Sequence, residues 1–249
     1  MYLILRFIFT TILLLSFWQV ICFITNIPEY ILPSPIDVIK SFKTNYKILF
    51  SNFIITLTEI ILGFLFGSVF GIISGIQLIY YKAARKWLFP IMLFGQAIPI
   101  FALAPILTLW LGYGLLSKIT MTVLIIYFPI TLSFYEGLKI TPTYMLDLAQ
   151  TMRANKKNIL LYLRIPCALP QLATGLKLGS VLAPMGAIIS EWIGASKGLG
   201  YLMLYANGKL QIDLLFASVV LISFITISLH YTISRSLEYI IHWQNISFD

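Results

Sequence analysis

Apolar residues fall in long, nearly unbroken runs at about 5–24, 52–79, 87–111, 119–137, 172–193 and 213–234, separated by short polar segments. Each run approaches or exceeds the roughly 20 residues that an α-helix needs to cross a bilayer. The pattern predicts an all-α, polytopic membrane protein with six transmembrane helices. The first run follows a single positive charge, Arg6, as the apolar part of a signal peptide would. No small-x-small site follows it, however, and bulky Phe17, Trp18, Ile21 and Phe23 continue it. It is read as a retained span.

Two runs carry internal patterning. The second holds Gly63, Gly67, Gly71 and Gly75, a glycine at every fourth position. Such residues fall on nearly one helix face and leave a groove in which another helix backbone can approach. The spacing predicts a helix-packing face, with its neighbour either in this chain or in a second copy. The third run is interrupted by Pro90, Pro99 and Pro105, with Gln96 among them. An internal proline removes a hydrogen bond and tends to kink a helix. Freed carbonyls at membrane depth are tolerated where protein or a water-filled cavity covers them. Gln96-Ala97-Ile98-Pro99 is therefore either part of a translocation path or a kinked packing segment. Pro129 and Pro184 predict further bends in the fourth and fifth spans.

Composition agrees with the runs: 59% of the residues are hydrophobic and 10% charged, against about 25% charged in a soluble domain. The net charge of +8 is spread over short loops rather than gathered into a nucleic-acid-binding patch. Lys and Arg accumulate in cytoplasmic loops. With the N-terminus inside, the inner segments hold Arg6, Lys82, Arg85, Lys86, Lys139, Arg153, Lys156, Lys157, Arg164 and Arg235, and the outer ones Lys40, Lys43, Lys47, Lys118, Lys197 and Lys209. This bias predicts both termini in the cytoplasm, together with the polar segment 138–171. Cys22 and Cys167 fall on opposite sides and read as small apolar fillers.

Candidate chemistry is sparse. The phosphate-binding pattern Gly-x-x-x-x-Gly-Lys-Ser/Thr does not occur. The two histidines, His230 and His242, and two separated cysteines offer no metal set. No nucleophile, base and acid recur in a recognisable arrangement, so no catalytic residue is assigned. Ionisable groups inside spans are functional candidates by default. Glu136 and Lys177 lie near the expected cytoplasmic boundary, where snorkelling or local pairing accounts for them. Glu59 and Glu191 fall toward the outer half, where they either line a solute entrance or join a packing site; Trp192 accompanies Glu191.

The polar stretch from Asp147 to Pro170, DLAQTMRANKKNILLYLRIPCALP, stands apart in this otherwise lipid-compatible chain. Thr141-Pro142 offers a hydroxyl cap and a first-turn proline for a helix over about 142–152. Asn155 can cap a second short helix, with Pro166 and Pro170 expected to end it. Small Ala149 and Ala154 flank the junction. Two short helices held below the membrane form a knob able to enter a groove in another protein.

These residues resemble the EAA loop of permease subunits in ABC importers, which reads roughly Glu-Ala-Ala, a glycine four residues later, then Ile-x-Leu-Pro. Here the matching positions are Asp147, Leu148 and Ala149, then Arg153, then Leu163, Ile165 and Pro166. Leu148 replaces a small residue, and Arg153 replaces the glycine. If that turn needs a left-handed residue, a non-glycine costs about 1–2 kcal/mol there; either the turn differs or Asn155 takes the special conformation. Further matches run in order along about 30–243. They are Leu32-Pro33-Ser34-Pro35, Ala97-Ile98-Pro99 with Ala102, Ala104 and Pro105, Trp110 to Gly114, Phe128-Pro129-Ile130, Ala168-Leu169-Pro170, Gly175-Leu176-Lys177 and Gly198-Leu199-Gly200. Together they resemble the nitrate/sulfonate/taurine-type permeases. Gln96 to Pro99 and Glu191 to Met203 are most similar to permeases for the thiamine precursor hydroxymethylpyrimidine.

The resemblance implies a type-I ABC importer permease fold in the bacterial inner membrane. Its parts would be an N-terminal helix and outer loop (1–50), the permease domain (51–237) and a cytoplasmic tail (238–249). It implies a homodimer, a separate ATP-binding cassette subunit that holds the ATP and Mg cofactors absent from this chain, and an external solute-binding protein docking near 194–212. The coupling residues would be Asp147, Leu148, Ala149, Arg153, Ala154, Ile165 and Pro166, and the path candidates Gln96, Pro99, Glu191 and Trp192. Sulfonate, taurine or nitrate remain alternative solutes. An ion-coupled transporter or channel is the rival of another class, and a non-transporting membrane assembly factor a third.

Overall fold

The structure, a computed structural model, describes residues 2–25 and 27–241. In chain order the helices are α1 (Tyr2–Thr25), α2 (Pro35–Thr44), α3 (Tyr46–Tyr80), α4 (Lys82–Ala97), α5 (Ile100–Leu111), α6 (Leu115–Lys139), α7 (Thr143–Thr151) and α8 (Lys156–Ile159). A π-helical turn, Leu160–Arg164, then leads into α9 (Ile165–Trp192), followed by α10 (Leu199–Gly208) and α11 (Ile212–Ile240). No strand occurs among the described residues. Residues 242–249 of the expected tail, with His242, lie outside them.

Four helical stretches are long and apolar enough to cross a membrane: α3, α6, the continuous Lys156–Trp192 segment, and α11. The α4–α5 pair, bent by 104°, makes a fifth if it is one broken span. The described apolar part of α1, Phe9–Thr25, is shorter. The expected six spans are thus met for four or five. Among the internal prolines only Pro99 coincides with the break. Its predecessor Ile98 is extended (φ −76°, ψ 125°), as steric conflict with the following proline ring favours. Pro90, Pro105, Pro129 and Pro184 sit inside continuous helices.

The contacts divide the chain into two compact units, one of residues 1–56 with 196–224, the other of 57–195 with residues from 225 onward. In the first, Val38, Leu49, Leu202, Ala206, Leu214 and Ala217 form a buried core, and Trp18 packs on Phe216 with ring centroids 5.4 Å apart. The start of α10 is held by side chains of α3. The Asn52 side-chain oxygen accepts from the Gly198 N–H (2.7 Å), and the Thr56 hydroxyl from the Leu199 N–H (2.8 Å). These are donors that a helix N-terminus leaves without intrahelical partners. Gly198 enters the helix at φ +115°, a conformation that favours glycine.

In the second unit the glycine stripe has found its neighbour within the chain. Gly63 abuts Thr122, Gly67 Ile126, Gly71 Ile130 and Gly75 Phe134, each step advancing four residues on both α3 and α6. The two helices therefore run parallel at van der Waals distance. On α9, Gly175 meets Ser133, Gly179 meets Ile130, and Gly186 meets Thr122, so α9 runs antiparallel to α6. Small residues of two helices thus clasp the bulkier side chains of α6, the close packing that drives helix association where lipid is already apolar. Because α3 and α6 are parallel, the chain between Tyr80 and Leu115 must return along this unit. The broken α4–α5 pair makes that return.

Candidate functional site

The knob forms at the end of the second unit where α6 finishes. Helix α7 begins one residue later than expected, with Pro142 at the cap position and no side-chain cap. Thr141 does not cap it; its buried hydroxyl donates back to the Leu138 carbonyl (3.4 Å). Ala149 faces inward and is 7% exposed, whereas Tyr144, Leu148 and Met152 stand out at 66%, 61% and 75%. Residues four apart on a helix share a face, so these three form an apolar stripe pointing away from the protein. Asp147 and Arg153 are exposed as well.

The turn after α7 resolves the question posed by Arg153. The Arg153 N–H donates to the Gln150 carbonyl (2.8 Å) and the Ala154 N–H to the Ala149 carbonyl (2.9 Å). This pair of bonds defines a Schellman cap, whose penultimate residue is left-handed. Arg153 itself takes that conformation, at φ +55°. Asn155, by contrast, is extended (φ −76°, ψ 162°). Asn155 caps α8 as expected, its side-chain oxygen accepting from the Asn158 N–H (2.8 Å).

Pro166 and Pro170 do not end the second helix. The π turn at Leu160–Arg164 carries the chain into α9 without a break, and the Ile165 N–H reaches back five residues to the Leu160 carbonyl. A π turn widens the ladder locally, and here it lies immediately before Pro166, which has no N–H to give. Ile165 and Pro166 are half-buried. The Arg164 guanidinium donates to the Leu138 carbonyl (3.1 Å) and ties this turn to the end of α6.

Among the path candidates, Gln96 and Pro99 are exposed at the α4–α5 break, and Trp192 is 47% exposed. Glu191 is not open to solvent: it is 1% exposed and its carboxyl interacts with that of Glu59. Glu59, fully buried, accepts from the Lys118 ammonium at 2.9 Å. Three helices, α3, α6 and α9, thus contribute one ionised or ionisable group each to a single interior cluster. Lys118, expected in an outer loop, is in the first turn of α6 and 8% exposed. An isolated charge in a low-dielectric interior is costly, and pairing is what permits it. The sequence offers only a lysine at the edge of one span and a glutamate within another, and nothing in it pairs them. Glu136, by contrast, pairs locally with Lys139 at 3.0 Å on an exposed face. In the interior near α11, Ser180 and His230 are hydrogen-bonded at 3.1 Å.

Residues 67–242 match the family described as binding-protein-dependent transport system inner membrane component. A probable ABC transporter permease protein of Haemophilus influenzae is 44% identical over 92% of each chain. The formylaminopyrimidine transport permease protein ThiX of Halalkalibacterium halodurans is 36% identical over 76% of each. The riboflavin transport system permease protein RibX of Chloroflexus aurantiacus is 31% identical over 94% of this chain and 88% of that one. Among solved structures, an inward-facing form of the MetNI methionine ABC transporter superposes with a TM-score of 0.68, covering 79% of this chain and 98% of that one at 19% identity. That likeness speaks to the fold, which is the type-I importer permease arrangement expected from the sequence. An all-helical, multi-pass chain with a protruding two-helix knob, matched over most of its length, belongs to the inner-membrane permease subunits of binding-protein-dependent ABC transporters.

Proposed function

We propose that two copies of this chain form the translocation path of an ATP-driven importer for a small pyrimidine, with hydroxymethylpyrimidine, the thiamine precursor, as the solute. The observation that carries the coupling half of this reading is the exposed stripe Tyr144, Leu148 and Met152 on a helix anchored by buried Ala149. A protruding apolar stripe needs a covering protein surface, and a partner ATP-hydrolysing subunit is that surface. ATP and Mg bind there and not to this chain. Closure of two such subunits moves the two knobs, and the helices above them follow. The bend at Pro99 and exposed Gln96 lie on the path, with Trp192 beside it. Exposed Leu109 and Trp110 on α5, at 81% and 76%, supply apolar surface for the second copy or for lipid. Helix α1 serves as the sixth span, both termini are cytoplasmic, and an external binding protein delivers solute near residues 194–212.

The pyrimidine assignment is supported by the 36% identity to the formylaminopyrimidine permease. Relatives named for aliphatic sulfonates and for taurine, at 26% and 28%, carry the alternative solutes. The test is uptake of labelled hydroxymethylpyrimidine into vesicles holding this chain and its copurifying partners. ATP-dependent uptake, competed by unlabelled pyrimidine and not by taurine or nitrate, is expected. Uptake competed by taurine or nitrate instead would move the solute to the sulfonate class. An ATPase bound without any pyrimidine uptake would keep the importer and remove the solute.

A further inference from the structure

At the end of the second unit that carries α7, a cavity of about 490 Å³ opens between the α3–α4 junction, the inner side of α7, and the α8–π turn. Its size lies within the range of small-molecule sites, about 300–1,000 Å³. Four basic side chains line it: Lys82 and Arg85 from α4, Lys156 from α8 and Arg164 from the π turn. No carboxylate lines it. Among the described residues Lys82, Arg85 and Lys156 enter no ion pair. Arg164 is held by the Leu138 carbonyl through one of its nitrogens, which leaves further donors for a ligand. Gln150 adds an amide.

These cations come from three separate elements, so folding has brought them together against their mutual repulsion. The rest of the wall identifies the anion. Ile79, Leu146 and Ile159 make part of it apolar, and Tyr80 and Tyr81 stand at its rim, 42% and 57% exposed. Tyrosines collect at the membrane–water interface, with the ring at headgroup level. A basic pocket between helices on the cytoplasmic side, rimmed by such rings, suits a phospholipid headgroup with its first acyl carbons on the apolar wall. A small hydrated inorganic anion would leave that wall unused.

We infer that this cavity binds the headgroup phosphate of an anionic phospholipid from the cytoplasmic leaflet. The site rests on the cytoplasmic placement of the knob proposed above. Leu146 and Gln150 face the cavity from the side of α7 opposite Tyr144, Leu148 and Met152. The coupling helix therefore lies between the lipid and the ATPase, and the lipid braces it.

The test uses the full chain with its copurifying partners, reconstituted in nanodiscs of phosphatidylcholine with phosphatidylglycerol, and native mass spectrometry to count retained lipid. Wild type is expected to retain phosphatidylglycerol in preference to phosphatidylcholine. Lys82→Gln, Arg85→Gln and Lys156→Gln should each weaken retention about fivefold, at about 1 kcal/mol per charge near an anionic surface. The triple variant should lose the lipid, while Lys40→Gln/Lys43→Gln/Lys47→Gln, with equal charge removed elsewhere, should not. If the triple variant does not fold, the single variants carry the test. Retention unchanged in the variants, or equal retention of phosphatidylcholine, would overturn the site. Displacement by inorganic phosphate would overturn the lipid as its source. ATPase bound with no selective lipid would strike this site alone, whereas lipid retained with no ATPase would strike the importer reading alone.

Discussion

The Lys118 ammonium, in the first turn of α6, lies 2.9 Å from the Glu59 carboxylate on α3, with the Lys118 side chain 10% exposed and that of Glu59 not at all. Glu191 of α9 brings a second carboxyl to the same pair. Removing one member of a buried pair strands the other, at about 3–5 kcal/mol. Lys118→Met should therefore lower the thermal unfolding midpoint of the purified protein sharply. Glu59→Gln/Lys118→Met should recover much of the loss. A double variant no better than the single would show that the ion pair is not what the interior depends on.

The glycine stripe makes a second, steric prediction. A Cβ placed on Gly67 would come within 2.5 Å of the Ile126 side chain, and one on Gly71 within 2.8 Å of Ile130. Gly67→Ala should destabilise by about 1–3 kcal/mol, the cost of forcing a packed interior apart. Ile126→Ala should offset part of that by making room. Thermal unfolding of the two single variants and the pair checks it, and additive losses would contradict the contact.

Arg153 occupies a left-handed position that glycine accepts without strain. Arg153→Gly should keep both capping bonds and stabilise the knob by about 1–2 kcal/mol. Hydrogen exchange at Ala154, whose N–H closes the cap on the Ala149 carbonyl, measures it directly. Slower exchange is expected; faster exchange would mean that the arginine side chain holds the turn.

Outside the spans, Ser34 and Asp37 form a reciprocal cap on α2. The Ser34 hydroxyl first, and then the Lys40 ammonium, hold the Asp37 carboxyl below its usual pKa. A carboxyl depressed on folding adds stability above its unfolded pKa, about 3.9, and that stability is lost as pH falls through the lower, folded value. Ser34→Ala should cost about 1 kcal/mol at neutral pH. The gap between it and wild type should narrow below about pH 4, which unfolding midpoints across pH can follow. A gap independent of pH would remove Asp37 from the cap's energetics.

Much of this architecture was legible because the bilayer constrains it so strongly: the apolar runs, the fourfold glycine spacing and the polar knob all stand out in the chain. The glycines announced a packing face but not its occupant, since the α6 partners lie 59 residues further on. Lys118 was misplaced for the same reason: a lysine at a span's edge looks like a loop residue until Glu59 is brought beside it. Pro166 and Pro170 look like helix stops, yet the helix runs on through both, Pro166 just after the π turn and Pro170 within α9. Thr141 turns its hydroxyl back to the Leu138 carbonyl instead of capping α7, and Arg153 holds a left-handed position that propensity alone assigns to glycine. The basic cavity was invisible as a site, because its cations are scattered from Lys82 to Arg164 and read singly as loop charges.

The proposed docking of an ATP-hydrolysing subunit on the α7 knob is measured most directly by copurification of that subunit with wild type and with Leu148→Glu. Leu148 is 61% exposed, so the change should leave the membrane fold intact, unlike any enlargement of buried Ala149. Wild type should bring the ATPase down, and Leu148→Glu should reduce it about tenfold or more, as loss of a central apolar anchor does at an interface. Undiminished association of the Leu148→Glu variant would contradict the claim and take the knob out of the mechanism.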